Sequence, residues 1–509
     1  MTRRAPGNGA AEGLTLAAAL VAFLIGPLPV LVAAGDALLA PGEAWNALAD
    51  PLLWRRTLSS AAITAAVLAL ALPAGLLAAW VLARTDVPWP RAWTALLALS
   101  LFLPPLVHAI SWVSAWRLSG FGAILLVHGV VATPFVALLA MRSLASVSRA
   151  QHDTLRLLGG TRAVLLGELR HAWPGASAGA ALAAAFVLSD FTTADFLTSV
   201  GPKITVAADS IYAHHLGLRS GAAAAAGLPA ALAVLAGLAL AARDLLRRGS
   251  SIRARFEPAP RLELGRARMP VLLGLALLAG AASVAPFASL ALSAGSPAAV
   301  VRAALKNLDS ITFTFATAAA SATLGVALAT ILLALAPRLS RAALFVLACV
   351  PLAASPLTSG IGLIRVWNQP ELAWAYTGAT VVICATAGRY LLIGALPVAD
   401  GMARIDAGLV DAARLAGAAR LAAFGSILEP LLRPAILVGW CLAFAFALRE
   451  TDAFVMLRAG QSALASRLYA NVVFAREDEL AALALVFALV CATPLLVLSA
   501  THGLRGSRA

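Results

Sequence analysis

The chain has 509 residues, of which 61% are hydrophobic and only 12% are charged, and its mean hydropathy is +0.89. A water-solvated surface does not tolerate so apolar a composition, which excludes a soluble globular protein. The net charge of +14 is no argument for nucleic acid, because in a membrane protein the position of positive charges matters more than their sum. The sequence therefore predicts a protein embedded in membrane lipid that binds no nucleic acid.

Long apolar segments recur along the chain and are separated by Arg-rich or Pro/Gly-rich breaks. A bilayer core of about 30 Å needs about 20 apolar residues per helix. The segments are apolar on every face, unlike the alternating strands of a membrane barrel. We therefore predict an all-α membrane protein with about 12 transmembrane helices. In chain order the predicted spans are 14–34, 58–83, 93–115, 121–141, 173–198, 221–242, 270–294, 311–336, 342–364, 375–398, 434–456 and 480–502.

The N-terminal segment places Arg3 and Arg4 ahead of the first apolar run. A signal peptide has the same form, and residues 32–34 offer a small-residue cleavage site. The length of the run and its place in the repeat described next favour a first span instead. With the N-terminus inside, most of the 38 Lys and Arg residues fall in predicted cytoplasmic segments, so the positive-inside rule predicts both termini in the cytoplasm.

The two halves of the sequence resemble each other at an offset of about 250 to 260 residues. Residues 186–190 align with 446–450, which places Asp190 and Glu450 at the same point of the fifth helix of each half. Between the halves, residues 243–269 are too charged to insert and predict a cytoplasmic linker. We predict two tandem six-helix domains, residues 1–242 and 270–509, related by an axis along the membrane normal because each has an even number of spans.

A short motif follows the fourth predicted span of the second half. It consists of Asp411, Ala412 and Ala413, then three further residues and Gly417, with Pro430 in an Ile-Leu-Glu-Pro element beyond it. Alanine permits close contact and glycine permits a tight bend at a helix end. The pattern predicts two short cytoplasmic helices that meet at a glycine turn, although an ordinary surface hairpin has the same local sequence.

The first half contains a degraded copy of this motif at the equivalent place. Asp153 and Gly159 keep the spacing of the acidic residue and the glycine, and Pro174 matches the proline that opens the next span. The two alanines are missing. Because the two hairpins occupy equivalent positions in the repeat, we expect them to share a function rather than to occur there by coincidence.

These two loops resemble the EAA loop of ABC importer permeases, with Asp411 in place of the usual Glu and Glu429 in place of the usual Leu before Pro430. The resemblance covers nearly the whole chain and is closest to the fused, MetI-like permeases of the ferric-iron, thiamine and related small-solute importers. It implies a bacterial inner-membrane permease whose loops couple it to two copies of an ABC ATPase subunit. It also implies an extracytoplasmic solute-binding protein that delivers the solute.

The chain has no sequence for ATP chemistry of its own. A phosphate-binding loop needs a lysine after glycine, and neither Lys203 nor Lys306 has that context. We therefore expect no enzyme activity and no cofactor on this chain, with ATP bound by the partner ATPase. We also expect no metal site, because the cysteines show no CxxC spacing. The four cysteines all lie in predicted spans of the second half: Cys349, Cys384, Cys441 and Cys491.

Among the charged residues inside predicted spans, three stand out, because an ionised side chain there costs at least about 2.5 to 3.5 kcal/mol and tends to face a partner or a cavity. They are Asp190, Glu450 and Arg389. One hypothesis places them along the translocation pathway, where the acids repel anions or contact a cationic solute. The alternative is structural, either a salt bridge of Glu450 with Arg389 or Arg449, or placement at the outer interface.

Two other function classes stay open. A secondary transporter driven by an ion gradient explains the topology but not the two glycine-centred loops. A membrane assembly factor or lipid-handling enzyme needs a catalytic cluster, which the sequence lacks. The solute is not specified by the sequence, since similar permeases handle ferric iron, thiamine, polyamines and phosphonates; the two acids lean toward a cation.

Overall fold

The computed structural model describes residues 8–248, 259–336, 341–457, 463–473 and 477–506. Over these ranges the chain forms α-helices joined by short turns, without any β-strand. Seven helices are long and apolar enough to cross a membrane, or up to eleven spans if each sharply bent helix pair counts as one. The predicted all-α, multi-pass membrane fold is thus confirmed for the described residues, while a total of about 12 spans stays a prediction.

Residues 8–248 fold into helices α1 to α11. In chain order these are α1 (Asn8–Ile25), α2 (Pro27–Leu39), α3 (Pro41–Ala49), α4 (Pro51–Arg84), α5 (Pro90–Phe102), α6 (Pro105–Trp116), α7 (Gly120–Leu144), α8 (Arg149–Ser189), α9 (Thr192–Ser199), α10 (Ala207–Leu216) and α11 (Ser220–Arg248).

The second part of the chain, from residue 268, repeats much of this order. Its helices are α12 (Arg268–Ala279), α13 (Ala285–Ser293), α14 (Pro297–Lys306), α15 (Leu308–Leu335), α16 (Arg341–Ala353), α17 (Pro356–Trp367), α18 (Ala373–Tyr376), α19 (Ala379–Arg389), α20 (Leu391–Arg404), α21 (Ala407–Leu415), α22 (Arg420–Ala423), α23 (Glu429–Leu448), α24 (Asp452–Leu457), α25 (Leu464–Val473) and α26 (Glu477–Gly506). One π-helical turn joins α12 to α13 and another joins α22 to α23.

Four predicted spans are bent helix pairs, and two of them are bent most sharply. The span 93–115 is the pair α5 and α6, bent by 98°, and the span 342–364 is the pair α16 and α17, bent by 106°. Both second helices begin with a proline, Pro105 and Pro356. Proline has no backbone N–H and pushes the residue before it out of the helical region, so each helix stops and a new one starts in another direction.

The fifth predicted span of each half is also interrupted. The span 173–198 stops at Ser189 before α9, and the span 434–456 stops at Leu448 before α24. These breaks put non-helical backbone inside the bundle, which a membrane protein tolerates only where other protein groups satisfy it. They position the polar residues described below.

The first helices of each half pack against the other half. Helices α1 and α2 contact α15, α16, α17 and α19, and α12 and α13 contact α5 and α6. Two glycines permit the closest approach: a Cβ at Gly362 would lie 1.8 Å from the carbonyl oxygen of Pro29, and one at Gly388 would lie 2.3 Å from that of Ile25. Such backbone contacts are typical of helix packing in lipid, and they interlock the two halves.

Candidate functional site

The second hairpin, residues 407–434, turns at Gly417. Helix α21 ends with the carbonyl of Ala413 accepting from the backbone N–H of Ala418 at 3.0 Å, and Gly417 has a left-handed φ of 84°. This is the Schellman arrangement that closes a helix C-terminus. A Cβ at Gly417 would meet nothing within 4 Å, so the position requires glycine only because of its backbone conformation.

The other predicted residues of this hairpin lie on its surface or at its far end. Asp411 and Ala412 are exposed and Ala413 is half-buried. Pro430 stands in the first turn of α23, directly after the π-helical turn. A proline at this place loses no regular helical hydrogen bond, so the second arm runs on into the membrane helix α23.

The first hairpin, residues 149–174, has the same form. It begins with a capping box in which the hydroxyl of Ser148 accepts from the N–H of Gln151 at 3.2 Å. The helix is interrupted at Gly159 and Gly160. The left-handed residue is Gly160, with φ of 63°, whereas Gly159 has an extended φ of −169° that any residue adopts. The left-handed residue therefore lies one position beyond the predicted Gly159; a Cβ added at Gly159 would lie 2.9 Å from the Cβ of Ala163.

The two remaining predicted residues of the first hairpin differ in surroundings. Asp153 is exposed and lies 3.8 Å from Arg149 in a surface ion pair. Such exposed pairs contribute little to stability. Pro174 is buried within α8, which continues through it to Ser189.

Both hairpins leave the bundle at the same end. The guanidinium of Arg142, in the last turn of α7, forms an ion pair with Asp400, near the end of α20. Helix α7 leads into the first hairpin and α20 leads into the second. This ion pair joins the two halves where the hairpins begin.

Each hairpin has an exposed leucine beside its glycine turn, which we call the hinge. Leu157 and Leu415 stand two residues before Gly159 and Gly417, and both are 90% exposed; Leu158 is 78% exposed. The neighbouring Arg156 and Arg162 make lipid an unfavourable environment for the first hinge. Large exposed apolar side chains on a polar surface are typical of a protein-binding site.

At the opposite end of α8 and α23, the repeat-related acids act as helix caps. Asp190 accepts from the hydroxyl of Thr193 at 2.8 Å and from the N–H of Ala194 at 3.3 Å. Glu450 accepts from the N–H of Ala453 at 3.0 Å. The acids thus satisfy first-turn N–H groups of α9 and α24, as negative groups at helix N-termini do.

Arg389 and Glu450 form a buried ion pair, with the Arg389 Nε atom 3.5 Å from a Glu450 oxygen. The same oxygen accepts from the hydroxyl of Tyr390. Arg389 also donates to the carbonyl of Ala354 at 2.8 Å, near the end of α16, and to the hydroxyl of Ser189 at 3.3 Å. The salt bridge lies within the second half, and the hydrogen bond from Arg389 to Ser189 links the two halves.

Asp452 connects the two breaks directly. Its carboxylate accepts from the N–H of Thr192 at 3.0 Å and from that of Phe191 at 3.3 Å. The Nε2 atom of His128 lies 3.6 Å from the carboxylate of Asp190. We call Asp190, Arg389, Tyr390, Arg449, Glu450 and Asp452 the central polar layer; all six are buried.

Beside this layer, four aromatic rings meet between the halves, and we call them the aromatic plug: Phe135, Phe186, Tyr390 and Phe446. The rings of Phe186 and Phe446 have centroids 5.3 Å apart. Their positions are 260 residues apart in the sequence, so repeat-related residues contact each other. The guanidinium of Arg449 lies 4.8 Å from the Phe446 ring and 5.3 Å from the Phe186 ring, within cation–π range.

The sequence analysis missed Asp452, Tyr390 and the plug. A signal for Asp452 was present, because residues 449–452 place four polar side chains in succession inside a predicted apolar span. Such a run indicates a break in the helix rather than one isolated charge. Nothing comparable marks Tyr390 or Phe135, which look like ordinary apolar packing until the halves are brought together.

The described ranges contain no group of three or more His, Cys, Asp or Glu side chains placed to hold a metal ion. The cysteines are buried free thiols. On the short helix α10, partial burial lowers the pKa of both His214 and His215. Burial raises the pKa of Asp209, whose carboxylate accepts from the N–H of Val206 at 2.7 Å and caps the same helix.

Comparison with known proteins gives no match: no family model matches the chain, and no curated protein matches it.

Proposed function

We propose that this chain is the membrane-spanning permease subunit of an ATP-binding-cassette importer. The observation that carries the proposal is the pair of glycine-hinged hairpins. They leave the bundle at one end, and each presents a leucine that is 90% exposed at the repeat-related positions 157 and 415. A matched pair of apolar contacts fits two copies of one partner, here the ATPase subunit.

The second arm of each hairpin is continuous with a membrane helix, so movement of the hairpin is transmitted into the bundle. The second arm of the first hairpin is the same helix, α8, that ends at Ser189, and the second arm of the second hairpin leads into α23, which ends at Leu448. Each therefore runs from the partner-binding end to the central polar layer. A movement of the hinge displaces Phe186 and Phe446, because both lie on these two helices.

The central polar layer and the aromatic plug are the proposed barrier in the translocation pathway. The two halves meet there, and repeat-related residues contact each other as expected near a pseudo-twofold axis along the membrane normal. The proposed mechanism is alternating access, in which separation of the halves opens the barrier to one side at a time. The chain itself performs no chemistry in this scheme, and ATP is hydrolysed on the partner.

We further propose that the chain has two tandem domains, residues 1–242 and 270–509, with about 12 spans in total. Both termini lie in the cytoplasm, and the protein is located in a bacterial inner membrane. The recurring helix order supports the two domains, and the short apolar helix 479–495 lies where the last span is expected. The proposed solute is small, with ferric iron as the candidate, and an extracytoplasmic binding protein delivers it.

The test is co-purification of the tagged chain from its native membranes with an ABC ATPase subunit, identified by mass spectrometry. We expect the wild-type chain to bring down the ATPase, and Leu157→Glu with Leu415→Glu to lose it, because each carboxylate would be desolvated in an apolar contact. The matched control is Leu216→Glu with Leu305→Glu, two exposed leucines on the short helices α10 and α14 outside the candidate spans, which should leave ATPase binding intact. Uptake into liposomes by the chain alone, driven by an ion gradient without ATP, would overturn the proposal in favour of a secondary transporter.

A further inference from the structure

A buried ion cluster lies at the base of the first hairpin. Glu168 is fully buried; one of its oxygens is 2.6 Å from Arg84 and 3.1 Å from the Nδ1 atom of His152. Its other oxygen accepts from the indole N–H of Trp80 at 3.0 Å. We call Trp80, Arg84, His152 and Glu168 the Glu168 cluster.

The cluster joins three parts of the molecule. His152 lies on the first arm of the first hairpin and Glu168 on its second arm, while Trp80 and Arg84 lie in the last turns of α4. Both arms are therefore tied to each other and to a membrane helix. Loss of one member leaves an uncompensated charge in a buried place, which is strongly unfavourable.

The segment between the two halves is attached to the same helix end. Arg84 donates from its side chain to the carbonyl of Ala259 at 3.2 Å, and its own carbonyl accepts from the N–H of Leu262 at 2.7 Å. The N–H of Leu264 donates to the carboxylate of Asp86 at 2.9 Å. Residues 259–264 thus pack beside the Glu168 cluster, in addition to connecting the two halves of the chain.

The second hairpin has different residues at the equivalent positions. Val410 stands 258 residues after His152, and Leu428 stands 260 residues after Glu168, matching the offsets of Asp153 to Asp411 and Pro174 to Pro434. Leu428 is buried. An apolar pair therefore replaces the His and Glu of the first half.

We propose that Glu168 is a positioning residue that holds the first hairpin rigidly on α4 and on residues 259–264, so that hinge movement reaches α8 without loss. This inference rests on the proposed coupling function. It assigns Glu168 no contact with solute or nucleotide.

The test uses the full chain, alone and in complex with its ATPase, and compares Glu168→Gln with Glu429→Gln. Glu429 pairs with Arg433 on the surface of the second hairpin and is the matched control. We expect amide hydrogen exchange in residues 149–158 to become about 100-fold faster in Glu168→Gln, because a buried charge loses its partner and the arm opens locally. Amide hydrogen exchange in residues 407–415 is the internal reference. Glu429→Gln should leave the exchange rate unchanged both in residues 149–158 and in residues 407–415.

A second readout follows the transmitted movement with spin labels at Ala145→Cys and Ala403→Cys, two exposed positions at the ends of α7 and α20. Addition of MgATP should change the distance between the labels in the wild-type complex and in Glu429→Gln, and this change should be lost in Glu168→Gln. The triple variant Arg84→Leu, His152→Val, Glu168→Leu removes the charges together and should restore both readouts, since apolar packing can replace a buried ion cluster.

The outcomes separate the two proposals. Unchanged exchange in Glu168→Gln, or faster exchange with a normal ATP-driven distance change, would overturn the positioning role. Failure of the wild-type chain to bind any ATPase would overturn the proposed function instead, and the exchange comparison would still decide whether Glu168 holds the hairpin.

Discussion

At the scale of single residues, backbone conformation and charge pairing decide which positions matter. Gly417 is exposed and touches nothing, yet its left-handed φ of 84° excludes most other residues. Arg389 and Glu450, in contrast, are specified by buried partners from both halves. The requirement for glycine at a turn can be recognised from a local sequence motif. The pairing of a buried charge can be recognised only when the residues that surround it in the fold are known.

Replacing Gly417 by valine should uncouple the second hairpin. A β-branched residue in the left-handed region costs about 1 to 2 kcal/mol, so the turn relaxes and the hinge loses its geometry. We expect faster hydrogen exchange in residues 407–420 and less solute transported per ATP hydrolysed. Gly425→Val is the control, because Gly425 has no positive φ and open space around it. Normal exchange and coupling in Gly417→Val would remove the role assigned to this turn.

At the scale of elements, the breaks in helices carry the candidate site. Pro105 and Pro356 turn two predicted spans through almost a right angle, and at the breaks after Ser189 and Leu448 the residues Ser189 and Asp452 form hydrogen bonds with the other half. Helices α8 and α23 therefore end beside the central polar layer, at Ser189 and Leu448. Local sequence indicates that prolines are present, but the direction of each new helix depends on what it packs against.

Truncation of the aromatic plug should open the barrier. Phe446→Ala removes the ring that contacts Phe186, Phe135, Tyr390 and Arg449, at a cost of about 3 to 5 kcal/mol for a buried phenylalanine. We expect liposomes that contain this variant to lose an encapsulated small ion faster than wild-type liposomes.

Phe315→Ala is the control for this prediction. Phe315 is also aromatic and contacts Phe444 edge-on, but it is 42% exposed on the outer surface of the bundle and lies away from the plug. Both variants must elute as folded protein. An equal leak from the two, or no leak from Phe446→Ala, would show that the plug is not the barrier.

At the scale of the whole molecule, the two halves contact each other at three levels. Arg142 and Asp400 pair at the hairpin end, the plug and polar layer lie within the bundle, and beyond them the hydroxyl of Tyr469 donates to the carboxylate of Asp195 at 2.8 Å. Burial and this carboxylate raise the pKa of Tyr469, so it stays a donor. In the described conformation, residues of the two halves are in contact at each of these three levels.

A covalent link at the hairpin end should stop transport. Arg142→Cys with Asp400→Cys, joined by a short bis-methanethiosulfonate that forms a disulfide with each cysteine, fixes the ends of α7 and α20 together. Alternating access requires these ends to separate, so we expect ATP-driven uptake to fall to background and to recover after cleavage of a reducible linker. The wild-type chain, whose four cysteines are buried, is the control for the reagent. Full uptake in the linked protein would exclude separation of the halves at this end.

The sequence by itself determined the membrane class, the helical fold, the glycine turn at Gly417 and the acids at 190 and 450, because composition, periodicity and local backbone preference are properties of neighbouring residues. Tertiary structure alone decided that Glu450 pairs with Arg389, that Asp452 joins the two breaks, that Phe186 meets Phe446, and that Glu168 ties the first hairpin to α4. Each of these depends on contacts between residues far apart in the chain. Whether a buried charge is paired, and with which partner, follows from how the helices pack and not from the residues beside it.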